Sequence, residues 1–213
     1  MLALTLVGPR SIVAGLQYFE FEDPDLQYST GYRAKMQEIL PRHTLDHYPA
    51  LNTDEARRIV REFIALPDDV RGVMRVALKR INQAHLRHDV GDKAVELATA
   101  FEALLGDGGT NEMTHKITVR SVRLLGGTLS EREINKVIVN KMYSVRSKLV
   151  HTGKVDETKK VNVRGEQLTS QEIVDQALLL GVRVATKIIF DKKIPDWEAF
   201  DIREHCAVIP EIE

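Results

Sequence analysis

Tyr143-Ser-Val-Arg-Ser-Lys-Leu-Val-His-Thr-Gly153 closes a long amphipathic segment that begins near Ser130. It brings an arginine, a lysine and a histidine into about one and a half helical turns. On a helix, Ser147 and His151 lie one turn apart on the same side, and Arg146 lies next to that side. The final glycine predicts the end of the helix, because glycine readily takes the left-handed conformation that closes a helix.

Spacing alone favours an ordinary helix end, where basic side chains lie near the negative pole of the helix dipole. The order of the residues points to chemistry as well. Arg146-Ser-Lys-Leu-Val-His151 resembles the R-x4-6-H motif of HEPN domains (higher eukaryotes and prokaryotes nucleotide-binding), in which a polar residue usually follows the arginine. Tyr143 before the motif and Thr152-Gly153 after it resemble the Apea-like branch of that superfamily.

Two upstream segments extend the resemblance. Asp92 to Leu105 is similar to the family's helix with an LE-x-L core, with Phe101 where leucine is more usual. Thr110 to Lys116 is similar to the segment that follows it, in which a glutamate precedes a basic residue. The resemblance covers about residues 69 to 190. It implies a mainly α fold, a HEPN-type antiparallel helical bundle, here with a short N-terminal β-hairpin.

Periodicity and turn residues predict three parts. Residues 1–51 read as a β-hairpin and a loop appendage, with the remainder of a larger module as one interpretation. Residues 52–192 form the HEPN-like helical domain. Residues 193–213 form a tail that docks on the bundle through its apolar side chains, which are Trp197, Phe200 and Ile202.

Individual elements follow from local signals. We expect strands in 2–7 and 11–21, a short helix at 32–39, and a loop from 151 to 167. Ser130 to Glu133 and Thr169 to Glu172 have the pattern of capping boxes and predict two helix starts.

Composition limits the class of protein. The chain has 213 residues, 43% of them hydrophobic, enough for one domain with a real core. Cys206 is the only cysteine, which excludes an intramolecular disulfide. No apolar run approaches the ~20 residues of a membrane span, and the first residues lack the basic start of a signal peptide. We therefore expect a cytoplasmic protein without a membrane partner.

Charge is unevenly distributed. The net charge is -1, but residues 114–164 hold 12 Lys and Arg against 4 Asp and Glu. A local basic face concentrates a polyanion such as RNA. The alternative is a solvated helix surface balanced by acidic neighbours.

The residue types in the motif fit metal-independent RNA cleavage, which needs no cofactor. Histidine exchanges protons near neutral pH, and arginine holds phosphate oxygens with two parallel hydrogen bonds. One chain lacks a second acid/base group, and an isologous dimer would supply it. The resemblance to HEPN ribonucleases implies that homodimer, with the two motifs facing each other.

The predicted site assigns His151 as general acid/base and Arg146 to the scissile phosphate. Ser147 would orient the motif, and Tyr143 would stack on a base or simply pack between helices. The RNA backbone would follow three basic side chains, which are Lys148, Lys116 and Arg120. Glu112, which would hold the motif or cap its own helix, is left outside the catalytic set. The Apea-like resemblance further implies prokaryotic defence, with a regulatory domain or antitoxin as partner.

Two other functions remain open. HEPN-like domains also bind nucleotides or partners without catalysis, and Arg146 would then serve an interface. A hydrolase could instead use His85, His88 and Asp89 with a metal, although such a cluster is more often a polar helix exit. Glu102, in an apolar stripe, is expected to be a buried or paired carboxylate, or else a solvated helix-edge residue.

Overall fold

The computed structural model describes residues 1–8, 17–19, 25, 33–35, 51–109 and 112–202. The described part is mainly helical, as predicted, with seven α-helices. They are α1 (Thr53–Ile64), α2 (Asp68–Leu86), α3 (Val90–Leu105), α4 (Met113–Leu125), α5 (Leu129–Thr152), α6 (Ser170–Asp191) and α7 (Trp197–Ile202). Two short antiparallel strand pairs accompany them, β1 (Gln17–Phe19) with β2 (Arg33–Lys35), and β3 (Lys160–Val163) with β4 (Glu166–Thr169).

Helix α3 is the centre of the bundle. It packs against α2, α5 and α6, and Leu97, Phe101 and Leu104 on it are fully buried. Helix α5 packs tightly on α3 at Gly91, where a Cβ atom would come within 2.9 Å of the Leu149 side chain. A small residue at this position therefore lets the end of α5, which carries the Arg-His motif, pack directly on the start of α3.

The helix starts agree with the sequence signals in two cases and shift in one. Asn52 caps α1, and Thr169 with Glu172 forms the predicted capping box of α6. The box that begins α5 is Thr128 with Glu131, two residues before the predicted one. The Glu133 carboxylate instead accepts a hydrogen bond from Arg164, which lies beyond the reach of a local pattern.

The N-terminal prediction was wrong in its first strand. Leu2–Leu6 forms a 3-10 helix, and Ala3, Leu6 and Val7 are buried against the helical bundle. The run is short and mostly apolar, and such a run is compatible with a helical turn as well as with a strand. These residues belong to the core rather than to an appendage.

The strand pair β1–β2 replaces the predicted hairpin. Strand β1 lies inside the expected second strand, but its partner β2 occupies the expected helix at 32–39, with Tyr18 opposite Ala34. The rest of residues 9–50 lies outside the described residues. The prediction of a short N-terminal β pair is confirmed, but the second strand comes from a different segment of the chain than predicted.

The loop predicted for 151–167 contains most of a second hairpin. Val163 pairs with Glu166, and Arg164-Gly165 makes the two-residue turn with φ angles of 53° and 95°. Positive φ at both positions is the geometry that matches the twist of the paired strands. Val163 and Leu168 are buried, but they are isolated in a polar stretch, which is why the sequence indicated a loop.

The C-terminal tail docks as predicted at two of three positions. Trp197 is 5% exposed, and its ring meets that of Phe200 edge to face with 5.3 Å between centroids. Ile202 is 83% exposed, so its predicted docking was wrong. Residues 203–213, including Cys206, lie outside the described residues.

Candidate functional site

Helix α5 carries the motif and orients it by its buried side. Ile138, Met142 and Val145 face the core, so the opposite side of the helix faces outward. The helix ends at Gly153, whose φ is 68° and whose backbone N–H donates to the carbonyl oxygen of Leu149 at 2.8 Å. The predicted glycine stop is confirmed.

An open groove of about 500 Å³ lies along the outward side of α5. His151, Ser147 and Lys148 line it, which confirms that Ser147 and His151 share one face. Tyr143, another predicted site residue, also lines it. Sequence reasoning missed three residues of the groove, which are Thr114 of α4 with Asn140 and Ser144 of α5. Their signal is spacing, because Ser147, Ser144 and Asn140 precede His151 by four, seven and eleven residues, the rows of one helical face.

His151 is exposed at the end of this groove. Within the described residues, its imidazole makes no hydrogen bond or ion pair. Ser144 and Ser147 bring hydroxyl groups to the same groove, and Lys148 brings an ammonium group. The arrangement can exchange a proton at the imidazole and attract an anion beside it.

Arg146 does not line this groove. With about 100° per residue, five positions of an α-helix place Arg146 roughly 140° around the axis from His151. Its side chain is half-buried and lies near the phenol of Tyr143. Arg146 therefore lies outside the groove of Ser147 and His151, and the two motif side chains leave α5 in different directions.

Tyr143 is a packing residue. It is 5% exposed, and its hydroxyl group donates to the carbonyl oxygen of Ala98 at 3.4 Å. Burial, and then the nearby carboxylate of Glu102, raise the pKa of this phenol, whereas Arg146 acts in the opposite direction. The side chain packs between α3 and α5 and also lines the His151 groove, and its 5% exposure favours the helix-packing alternative over stacking. Glu102 is half-buried and its carboxylate lies near the Tyr143 phenol, which fits the paired-carboxylate alternative.

Arg120 lies inside the protein. It is 1% exposed, and its guanidinium donates to Asp201 at 2.7 Å, to Asp107 at 2.9 Å and to the carbonyl oxygen of Leu105 at 2.6 Å. These contacts involve all three nitrogen atoms of the guanidinium. The expectation that Arg120 guides an RNA backbone is corrected, because Arg120 joins α4 to the end of α7 and to the end of α3.

Lys116 belongs to the same cluster. Its ammonium group lies 2.9 Å from the Asp107 carboxylate, and Lys116 does not line the His151 groove. Hydrogen bonds from Arg120, then from Lys116 and the Gly109 backbone, hold the pKa of Asp107 well below its usual range. Lys116 is about one third exposed, so it contributes little to a basic surface while Asp107 is charged.

The exposed basic surface is therefore made by lysines of α5 and of the segment that follows it. Lys141, Lys148 and Lys159 are exposed, and none forms an ion pair with a described residue. Lys148 stands at the centre because it lines both the His151 groove and a second, smaller one beside it. Of the three predicted backbone-guiding residues, Lys148 alone lies at the groove.

The proposed metal cluster at the end of α2 does not assemble. Burial, and then the charge of Lys93, lower the pKa of His85 to about 4, and its Nε2 atom has no hydrogen-bond partner in the described structure. Asp89 caps α3 by accepting from the Asp92 backbone N–H at 2.9 Å, and His88 is exposed. Throughout the described residues, no group of three His, Cys, Asp or Glu could hold a metal ion.

Glu112 has neither of its expected roles in the described structure. It precedes α4 with a φ of 54°, and its side chain makes no capping hydrogen bond. It is exposed, and no hydrogen bond between described residues joins it to Arg146 or His151.

Comparisons with protein-family models, with curated proteins and with solved structures find no match for this chain. The HEPN resemblance therefore stays a prediction. Among the helices described, none combines the length and apolar character needed to cross a membrane.

Proposed function

We propose that this chain is a metal-independent endoribonuclease of HEPN type that acts as a homodimer. The observation that carries the proposal is the exposed imidazole of His151, which stands in an open groove with Ser147 and Lys148. Such a groove admits a polyanionic chain to a group that exchanges protons near neutral pH.

In this proposal the RNA supplies its own nucleophile. One His151 removes the proton of a 2′-hydroxyl group, whose oxygen attacks the adjacent phosphorus. The bond between phosphorus and the 5′ oxygen breaks. The 5′ oxygen takes a proton from the second acid/base group, which the other protomer of the dimer supplies. The products are a 2′,3′-cyclic phosphate and a 5′-hydroxyl. While the bonds to phosphorus change, Arg146 stabilises the negative charge on the phosphate oxygens.

The geometry of α5 supports a dimer. Arg146 and His151 project roughly 140° apart in one protomer, so in this proposal each phosphate lies between the Arg146 of one motif and the His151 of the other. Val150, which is 59% exposed, lies between these two directions on the helix. A two-fold partner that covers Val150 would bring the Arg146 of one copy toward the His151 of the other.

The test is cleavage of mixed-sequence RNA in EDTA. We compare the unaltered chain with His151→Ala and Arg146→Ala at matched dimer content. The matched controls are His88→Ala and Arg57→Ala, which remove an exposed histidine and an exposed arginine elsewhere. Metal-independent cleavage that only the two motif substitutions abolish supports the proposal, and the absence of cleavage by the unaltered dimer contradicts it.

A non-catalytic HEPN-like module that binds RNA or a second copy is the second candidate. It is favoured by the half-buried position of Arg146 beside Tyr143, away from His151, and by the exposed apolar Val150. In this case Arg146→Ala and Val150→Asp would dissociate the dimer, and the unaltered chain would bind RNA without cutting it. Sedimentation and cleavage assays on the same samples separate the two candidates.

A further inference from the structure

A second groove lies between α5 and the β3–β4 hairpin. Its volume is about 120 Å³, and it is narrower and more enclosed than the His151 groove. Ser144 and Lys148 line both grooves, so the two adjoin along α5. We call this second groove the slot.

The walls of the slot are apolar and its rim is basic. The walls come from α5, from the segment after it, from β3 and from α6, and they are Val145, Val155, Val161 and Ile173. The rim carries three exposed lysines, which are Lys141, Lys148 and Lys159. The occupant must therefore have an apolar part beside more than one negative charge.

One acidic side chain also lines the slot. Asp156 accepts hydrogen bonds from the Thr158 hydroxyl at 2.9 Å and from the Thr158 backbone N–H at 3.1 Å. The pKa of Asp156 is lowered by these bonds and, more weakly, by Lys148. Three ammonium groups against one carboxylate leave the slot positive.

Size narrows the occupant further. A volume of 120 Å³ has room for about four water molecules and falls short of the roughly 300–1,000 Å³ of a pocket for a cofactor or a drug-sized molecule. A space of this order accepts a single ring, since an apolar cavity of about 150 Å³ binds benzene. Phosphates on both sides of the ring would meet the lysines.

We infer that the slot holds one unstacked base of single-stranded RNA, while Lys141, Lys148 and Lys159 contact the phosphates that flank it. The inference rests on the proposed function for its ligand class. Because Lys148 is shared with the His151 groove, the next phosphodiester of the bound strand leads directly toward His151. A duplex cannot enter in this way, since its bases are paired and stacked.

The experiment measures binding in the His151→Ala background, so that cleavage does not consume the probe. Short single-stranded RNA and a duplex of equal length are titrated by fluorescence anisotropy. Val155→Phe fills the slot and leaves the lysines in place. It is expected to weaken single-strand binding about tenfold, to leave duplex binding unchanged, and to keep the salt dependence unchanged.

Two matched variants separate packing from charge. Val76→Phe adds the same ring at a half-exposed valine of α2, outside the slot, and is expected to bind RNA normally. Lys159→Ala keeps the slot open and is expected to reduce the slope of log K against log salt by about 0.7, the value for one single-strand phosphate contact. Lys193→Ala, at an exposed lysine elsewhere, leaves that slope unchanged.

A scan that needs no slot substitution provides the second measurement. Replacing one nucleotide of the single strand at a time by an abasic residue is expected to reduce affinity at a single preferred position. Two results together would contradict base binding in the slot: equal affinity for single strand and duplex, and an affinity that does not depend on the position of the abasic residue. Loss of cleavage by the unaltered chain would contradict the nuclease alone, because the binding assay does not depend on it.

Discussion

Two clusters of basic side chains come from the same positively charged stretch of sequence, and they differ completely in the fold. In α4, Arg120 is 1% exposed and paired with Asp107 and Asp201. At the end of α5, Lys148 and His151 are exposed and border open grooves. The difference teaches that local charge does not distinguish a structural ion cluster from a binding surface, because the acidic partners come from distant parts of the chain.

The largest effect is expected at the exposed cluster. His151→Ala should lower the rate of RNA cleavage about 100- to 10,000-fold, since it removes the proton-transfer group, while the free energy of unfolding changes by less than about 0.5 kcal/mol, as for an exposed residue. Cleavage assays and urea titration of the same preparation check both. A large loss of stability would show that His151 has a structural role like that of Arg120, which contradicts the distinction between the two clusters.

Arg120→Ala should produce the opposite pattern. The substitution leaves the half-buried carboxylates of Asp107 and Asp201 and a backbone carbonyl without their donor, at a cost of about 3 kcal/mol in the free energy of unfolding. Urea titration measures it, with Lys148→Ala as the matched exposed control. A change below about 1 kcal/mol would show that the cluster is not structural.

The two histidines His85 and His151 extend the comparison to pH. Burial and Lys93 lower the pKa of His85 to about 4, against which the Asp175 carboxylate acts. The unfolded state, with a histidine pKa of about 6.5, therefore binds more protons between pH 4 and 6.5, and stability is lost as the pH falls through that range. We expect about 2 kcal/mol of this loss to disappear in His85→Gln and to persist in His151→Gln, as measured by urea titration at pH 7 and pH 4.5. Equal pH dependence of both variants would contradict the assignment.

The smallest effect separates the two lysines. Lys148→Ala should lower the slope of log K against log salt for single-stranded RNA by about 0.7. Lys116→Ala should leave it unchanged, because the Lys116 ammonium group is already paired with Asp107 at 2.9 Å. Binding titrations at several salt concentrations check this. An equal reduction of the slope by both variants would show that both lysines contact the RNA, which contradicts the distinction between the two clusters.

Most helices were predictable because their signals are local. Asn52, Thr169 with Glu172, and Gly153 each act on backbone groups within four residues, and the apolar stripes between them have the period of a buried helical face. The β3–β4 hairpin was missed because its two buried residues, Val163 and Leu168, are isolated in a polar segment. The 3-10 helix at Leu2–Leu6 was missed because a short apolar run is compatible with strand and helix alike.

By itself, the sequence determined the helical class, most of the helix limits, and the placing of Ser147 and His151 on one face, because each follows from the 3.6-residue period and from capping within one turn. Only the tertiary structure decided that Arg120 is buried, that Arg146 lies outside the His151 groove, and that Lys148 lines both this groove and the slot. These outcomes depend on pairs such as Arg120 with Asp201, which are 81 residues apart, and on the packing of α5 against α3 and β3. Such contacts follow from how the bundle closes, and no local pattern contains that information.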